Sequence, residues 1–187
     1  IKGFDLMLYN REEGRIWGKN GEFISAPRLD DLQCAYALLN GFIQSGNAET
    51  AQVFCVFDNE EVGSGTKQGA KSDFLYSTLC RISEGFGKSS GEHSRILRSS
   101  FLVSADNGHA VHPNRREMSD SVCFPKLGGG IIIKYNAAQH YTTDAVSEAV
   151  FRKICEKANV PYQIYANRSD IPGGSTLGNL AAEKTGI

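Results

Sequence analysis

The chain lacks a charge imbalance, a membrane-length apolar run and any paired-cysteine motif, and each absence excludes a class of protein. Its 20 Lys and Arg residues stand against 21 Asp and Glu residues, so it has no basic footprint of the kind a nucleic-acid binder presents. No apolar run approaches the roughly 20 residues that cross a bilayer, so no membrane partner is expected. The first residues show no secretory signal pattern. Five cysteines (Cys34, Cys55, Cys80, Cys123 and Cys155) are odd in number and include no C-x-x-C pair. They read as reduced and mostly buried thiols, which implies a cytoplasmic setting. Internal repeats, low-complexity tracts and clear linkers are absent, as is the G-x-x-x-x-G-K-[ST] phosphate loop.

What is present suits one ordinary domain. A length of 187 residues, with 41% hydrophobic and 22% charged residues, is enough for a sizeable core. Phe4, Leu6 and Leu8 alternate with polar or mixed neighbours, a strand pattern. Arg15–Trp17 and Glu22–Ile24 flank Asn20-Gly21, the strongest short hairpin signal. Leu32, Ala35, Tyr36, Leu39 and Ile43 recur at helical spacing. Val53–Phe57 reads as a buried strand. Residues 67 to 85 read as a helix with Phe74, Leu75, Leu79 and Ile82 on one face, stopped by Gly85 and Gly87. Ser89–Gly91 reads as a surface loop. Phe101–Val103 and Ile131–Ile133 read as strands. Thr143 can cap a helix over 144–158 with Val146, Val150 and Ile154 inward. Tyr162–Tyr165 is a further strand, and a last helix begins near Thr176. Strands alternating with helices predict an α/β fold with a mixed, largely parallel central sheet flanked by helices.

Acidic residues gather where these elements begin and end. Asp30 lies at a loop leading into a helix. Glu60 and Glu61 follow the strand at 53–57, and Asp106 follows the strand at 101–103. Chemistry in open α/β sheets collects at strand ends, and two adjacent glutamates can divide labour, one holding a metal while the other moves a proton. Each also has an ordinary reading, as a solvated loop, a helix cap or a turn residue. His109 and His112 form H-x-x-H, which on a helix would place both rings on one side. Pro113 argues against a helix there, and a histidine bonding backbone is the plain alternative. Gly173-Gly174-Ser175-Thr176 could cradle an anion before a helix, or simply make a turn.

Taken together the segments Pro27–Asp30, Asp58–Ser64, Ser104–Asp106, His109–Asn114, Ile133-Lys134 with Asn136, and Ser169–Thr176 resemble the aspartyl aminopeptidase family of dinuclear zinc metallo-aminopeptidases. They occur in family order over nearly the whole chain. The resemblance implies a zinc-peptidase-like catalytic domain that releases the N-terminal residue of peptide substrates, often Asp or Glu. It implies two divalent metal ions, zinc first, with cobalt or manganese as alternatives. Glu60 then matches the general base, and Asp30, Glu61 and Asp106 match metal ligands. Lys134 is a candidate cation for an acidic substrate side chain, with an exposed edge lysine as the alternative, and His109 is a second candidate for the substrate-binding group. On an extended segment, Glu60 and Glu61 would face opposite ways. The family forms twelve-subunit shells, so a homo-oligomer is expected. Two histidine ligands and a dimerisation domain of the family have no match here. The chain, which opens on Ile1 rather than Met, is therefore expected to be a fragment, with residues 1–187 forming part of one catalytic domain. A catalytically incomplete module serving assembly or peptide binding is the alternative. A dinuclear hydrolase acting on N-acyl amino acids is a third reading.

Overall fold

The computed structural model describes residues 2–46 and 49–187. The chain forms two compact units, Ile1–Phe54 and Cys55–Ile187, and the secondary structure is mixed α/β.

In the first unit, β1 (Arg15–Trp17) pairs antiparallel with β2 (Phe23–Ser25), Trp17 opposite Phe23. The hairpin expected around Asn20-Gly21 is therefore present. Its two aromatic rings lie 4.8 Å apart, and the Trp17 indole N–H donates to Ser25 Oγ at 2.7 Å. The strand expected at Phe4–Tyr9 does not form. Alternation creates a strand only where a neighbour completes the ladder, and Phe4, Leu6 and Leu8 are exposed along an unpaired segment. Helix α1 (Leu29–Gln44) follows, but Asp30 and Asp31 have non-helical dihedrals, so regular helix starts only after them. Leu32, Tyr36 and Ile43 of its apolar stripe are largely exposed.

The second unit holds α2 (Phe74–Gly85), α3 (Ser90–Arg98), β3 (Ile131–Tyr135), α4 (Ala145–Ala158), β4 (Tyr162–Ala166) and α5 (Leu177–Thr185). Strands β3 and β4 pair in parallel across the α4 crossover, with Ile133 opposite Ile164 and Lys134 opposite Tyr165. Helix α2 packs on α3 and α5. Leu75, Leu97, Ile133, Tyr141, Cys155, Tyr165 and Ala181 are the larger buried groups.

Several expectations are corrected here. Residues 67–73 form turns, and the helix begins at Phe74. The loop expected at Ser89–Gly91 is the start of α3: Ser89 Oγ accepts from the Glu92 N–H while the Glu92 carboxylate accepts from the Ser89 N–H. This reciprocal cap satisfies two amides at the helix start. Val53–Phe57 and Phe101–Val103 run without a ladder. Helix α4 is capped by Asp144, one residue beyond Thr143, through the Val146 and Ser147 amides. Val146, Val150 and Ile154 point outward, Val146 being 72% exposed, and Cys155 is the buried residue of this helix. Among the described residues nothing covers that apolar stripe. The five thiols are free, but only Cys155 is buried and the other four are half-buried.

Two predictions follow from the β3–α4–β4 unit. Gly130 has φ +100°, and an added Cβ would fall 2.1 Å from the Pro161 carbonyl oxygen, which accepts from the Ile131 N–H at 2.9 Å. Gly130→Ala should therefore cost about 1–3 kcal/mol, read as a lower urea midpoint; an unchanged midpoint would contradict the close approach. The Ser147 and Val146 bonds hold the Asp144 carboxyl below its ordinary 3.8. A depressed carboxyl contributes stability above its unfolded value that is lost as pH falls through the folded one. Asp144→Asn should accordingly flatten the acid side of the stability profile below about pH 4, measured by urea unfolding across pH.

Candidate active site

The Glu60-Glu61 pair sits on a tightly laced turn, and its local sequence explains the shape. Asn59 adopts φ +60°, a conformation that asparagine tolerates better than most residues. Its backbone N–H bonds its neighbour Asp58 at Oδ1, and its side-chain amide donates to Thr66 Oγ1 at 2.9 Å. The Gly63 N–H reaches the Glu60 carbonyl at 2.8 Å and the Ser64 N–H the Asn59 carbonyl at 2.9 Å. The Asp58 N–H donates to the Gln68 carbonyl, and the Lys71 N–H to the Ser64 carbonyl. At Gly69 an added Cβ would lie 2.3 Å from the Ser64 oxygen, so only glycine allows the returning chain to pass this close. Both glutamates are exposed on this turn. Residues 60–63 are thus a turn, not the extended segment expected, so any divergence of the two side chains has to come from turn geometry instead of strand alternation.

Asp106 lies on a segment without regular secondary structure, and β3 holds it there. Lys134 Nζ donates to Asp106 Oδ2 at 3.0 Å and to the Asn107 carbonyl at 2.7 Å. The side chains of Lys134 and Asp106 are only 12% and 32% exposed, so Lys134 is not an exposed edge lysine. The same ammonium lies 5.5 Å from the Tyr141 ring centroid, within cation–π range. Tyr141 packs at 6.4 Å from Tyr165. Burial pushes the Tyr141 hydroxyl above its ordinary value, with Tyr165 and Asp106 adding to the effect. Further along, the Val111 N–H bonds the Pro125 carbonyl at 2.8 Å.

The structure therefore brings Asp106 and Lys134 into contact and sets Glu60 and Glu61 on one turn. Asp30 belongs to the first unit, exposed at the non-helical start of α1, with a cis peptide bond to Asp31. His109 is exposed. His112 lies in no helix, and its Nδ1 accepts from the Asn114 N–H at 3.2 Å, the backbone-bonding alternative. Tyr141 escaped the sequence reading. It sits outside any periodic element, and only the fold-back of residues 136–142 brings its ring under Lys134.

By donor chemistry the carboxylates of Asp30, Glu61 and Asp106 suit a divalent cation, since zinc, manganese and cobalt all accept carboxylate oxygens. Asp106 already lies against a compact positive charge.

Over residues 1–187 the chain matches the family described as Aminopeptidase I zinc metalloprotease (M18). It is 47% identical over its whole length to a probable M18 family aminopeptidase 2 of Clostridium acetobutylicum, of which it covers 43%. It is 38% identical to aspartyl aminopeptidase 4 of Saccharomyces cerevisiae, again over the whole chain and 41% of the relative. The solved S. cerevisiae mApe1 dodecamer superposes with a TM-score of 0.77 at 27% identity, over 96% of this chain and 41% of that one. The chain thus spans less than half the length of these proteins. Matched by the family model over residues 1–187, the chain belongs to the M18 family of zinc metallo-aminopeptidases.

Proposed function

We propose that the protein carrying this chain is a two-metal aminopeptidase that releases the N-terminal residue of peptides, with acidic first residues favoured. The observation that carries this reading is the family match over all 187 residues. Relatives named as aminopeptidases favour it over a catalytically incomplete module. The chain would then be part of a catalytic domain, and Asp30, Glu61 and Asp106 would hold zinc. When bound, the metal pair supplies Lewis-acid polarisation of the scissile carbonyl and a water of lowered pKa.

The chain's own residues account for the remaining steps. Glu60, exposed on the laced turn, takes the proton of the attacking water and returns it to the leaving amine. Backbone bonds of the turn fix the main chain from which Glu60 projects. Lys134 has three N–H donors. Two of them are engaged by Asp106 and Asn107, and the third is available for a substrate carboxylate. His109 would assist in holding the substrate. The assembly would be a homo-oligomer, as mApe1 is a dodecamer, and the setting cytoplasmic. No helix of the described residues is long and apolar enough to cross a membrane.

Glu60→Gln in the full-length protein should retain zinc and lose roughly 10²–10⁴-fold in turnover of an Asp-terminated peptide. Zinc content by mass spectrometry and kcat by peptide assay check this, and undiminished turnover would remove the proposed base. Lys134→Met should lower kcat/KM more for an Asp-terminated peptide than for its Leu-terminated counterpart, by roughly tenfold in the ratio. An equal loss on both would leave Lys134 as a support for Asp106 alone.

A further inference from the structure

A second cluster of reactive side chains lies between α2 and α3, apart from the acidic site. Tyr76, Cys80 and Ser83 stand at i, i+4 and i+7 on α2, along one helical face. His93 of α3 faces them and is only 6% exposed. Its Nε2 lies 3.3 Å from Cys80 Sγ, and its Nδ1 lies 2.8 Å from Ser83 Oγ. The Tyr76 ring meets the imidazole edge-on at 5.7 Å. The neighbouring Cys80 raises the Tyr76 hydroxyl above its ordinary value. Cys80 itself is half-buried.

This is the arrangement of an activated nucleophile: a thiol, a base within reach, and a hydroxyl that orients the base. With Nδ1–H donating to Ser83, the lone pair of Nε2 faces the thiol. A buried imidazole needs both ring nitrogens hydrogen-bonded; here the partner at Nε2 is a thiol that is itself half-buried.

We propose that Cys80 is a modification site, a thiol that His93 deprotonates for attack on oxidants of the hydroperoxide class. The thiol proton moves to His93 Nε2. The thiolate sulfur attacks the distal peroxide oxygen, an S–O bond forms and the O–O bond breaks. The sulfur is oxidised by two electrons to sulfenic acid and the peroxide is reduced. The departing hydroxide or alkoxide takes the imidazolium proton and leaves as water or alcohol. This activity is independent of the peptidase reading and survives that reading's failure.

The test uses the full-length protein and two probes. Limiting iodoacetamide at neutral pH should alkylate Cys80 roughly tenfold faster than the half-buried Cys34, Cys55 and Cys123, read by peptide mass spectrometry. Hydrogen peroxide followed by dimedone should place the sulfenic adduct on Cys80. His93→Gln should abolish both advantages, and Ser83→Ala should reduce them. Labelling of Cys80 no faster than that of the other three overturns the proposal, as does a Cys80 rate unchanged in both variants. If His93→Gln fails to fold, the wild-type ranking and Ser83→Ala decide the matter.

Discussion

The ion pair between Lys134 and Asp106 is the constraint on which the second unit's part of the site depends. The segment around Asp106 makes no ladder and belongs to no helix, so its path is set by what it touches. Lys134 grips it twice, at the Asp106 carboxylate and the Asn107 carbonyl. The ammonium is itself fixed because β3 pairs with β4 on one side and Tyr141 lies beneath it. Half-buried charges of this kind are costly to leave alone. Here each satisfies the other, and the pairing turns an irregular segment into a defined one.

Two apolar helix stripes stand uncovered among the described residues. Leu32, Tyr36 and Ile43 on α1, and Val146, Val150 and Ile154 on α4, have the spacing of core-facing helices yet stand exposed. The chain spans 43% and 41% of the curated relatives described above. Such stripes mark a face suited to burial, and among the described residues both stand exposed. The unpaired segments at 53–57 and 101–103 follow the same logic, because a strand needs a neighbour and apolar composition alone does not provide one.

Much of this was legible in the residues. The turn residues around Asn20-Gly21 marked a hairpin, although its loop runs over residues 18–22 with positive φ at Gly18 and Gly21 and not at Asn20; the β-branched run at Ile131–Ile133 marked β3, and the break in helical dihedrals at Asp30 falls where the helix was expected to begin. The motif segments around Glu60, Glu61 and Asp106 indicated the family. Helix α3 went unread although Ser89 and Glu92 carry its capping signature, because the serines and glycine around them also suit a loop. The facing of α4 could not be read from period alone, since periodicity marks a stripe without saying what lies opposite. Tyr141 and the Cys80–His93 contact depend on fold-back and helix pairing, which local sequence does not encode.

Helix α4 has a consequence for how the Lys134 arm comes into being. It carries its own start signal, the Asp144–Ser147 box, and its own stop, Asn159 in the left-handed conformation. The crossover that it spans joins β3 to β4 within residues 131–166. Closing so short a loop costs little chain entropy. The ladder that presents Lys134 is thus made entirely within residues 131–166.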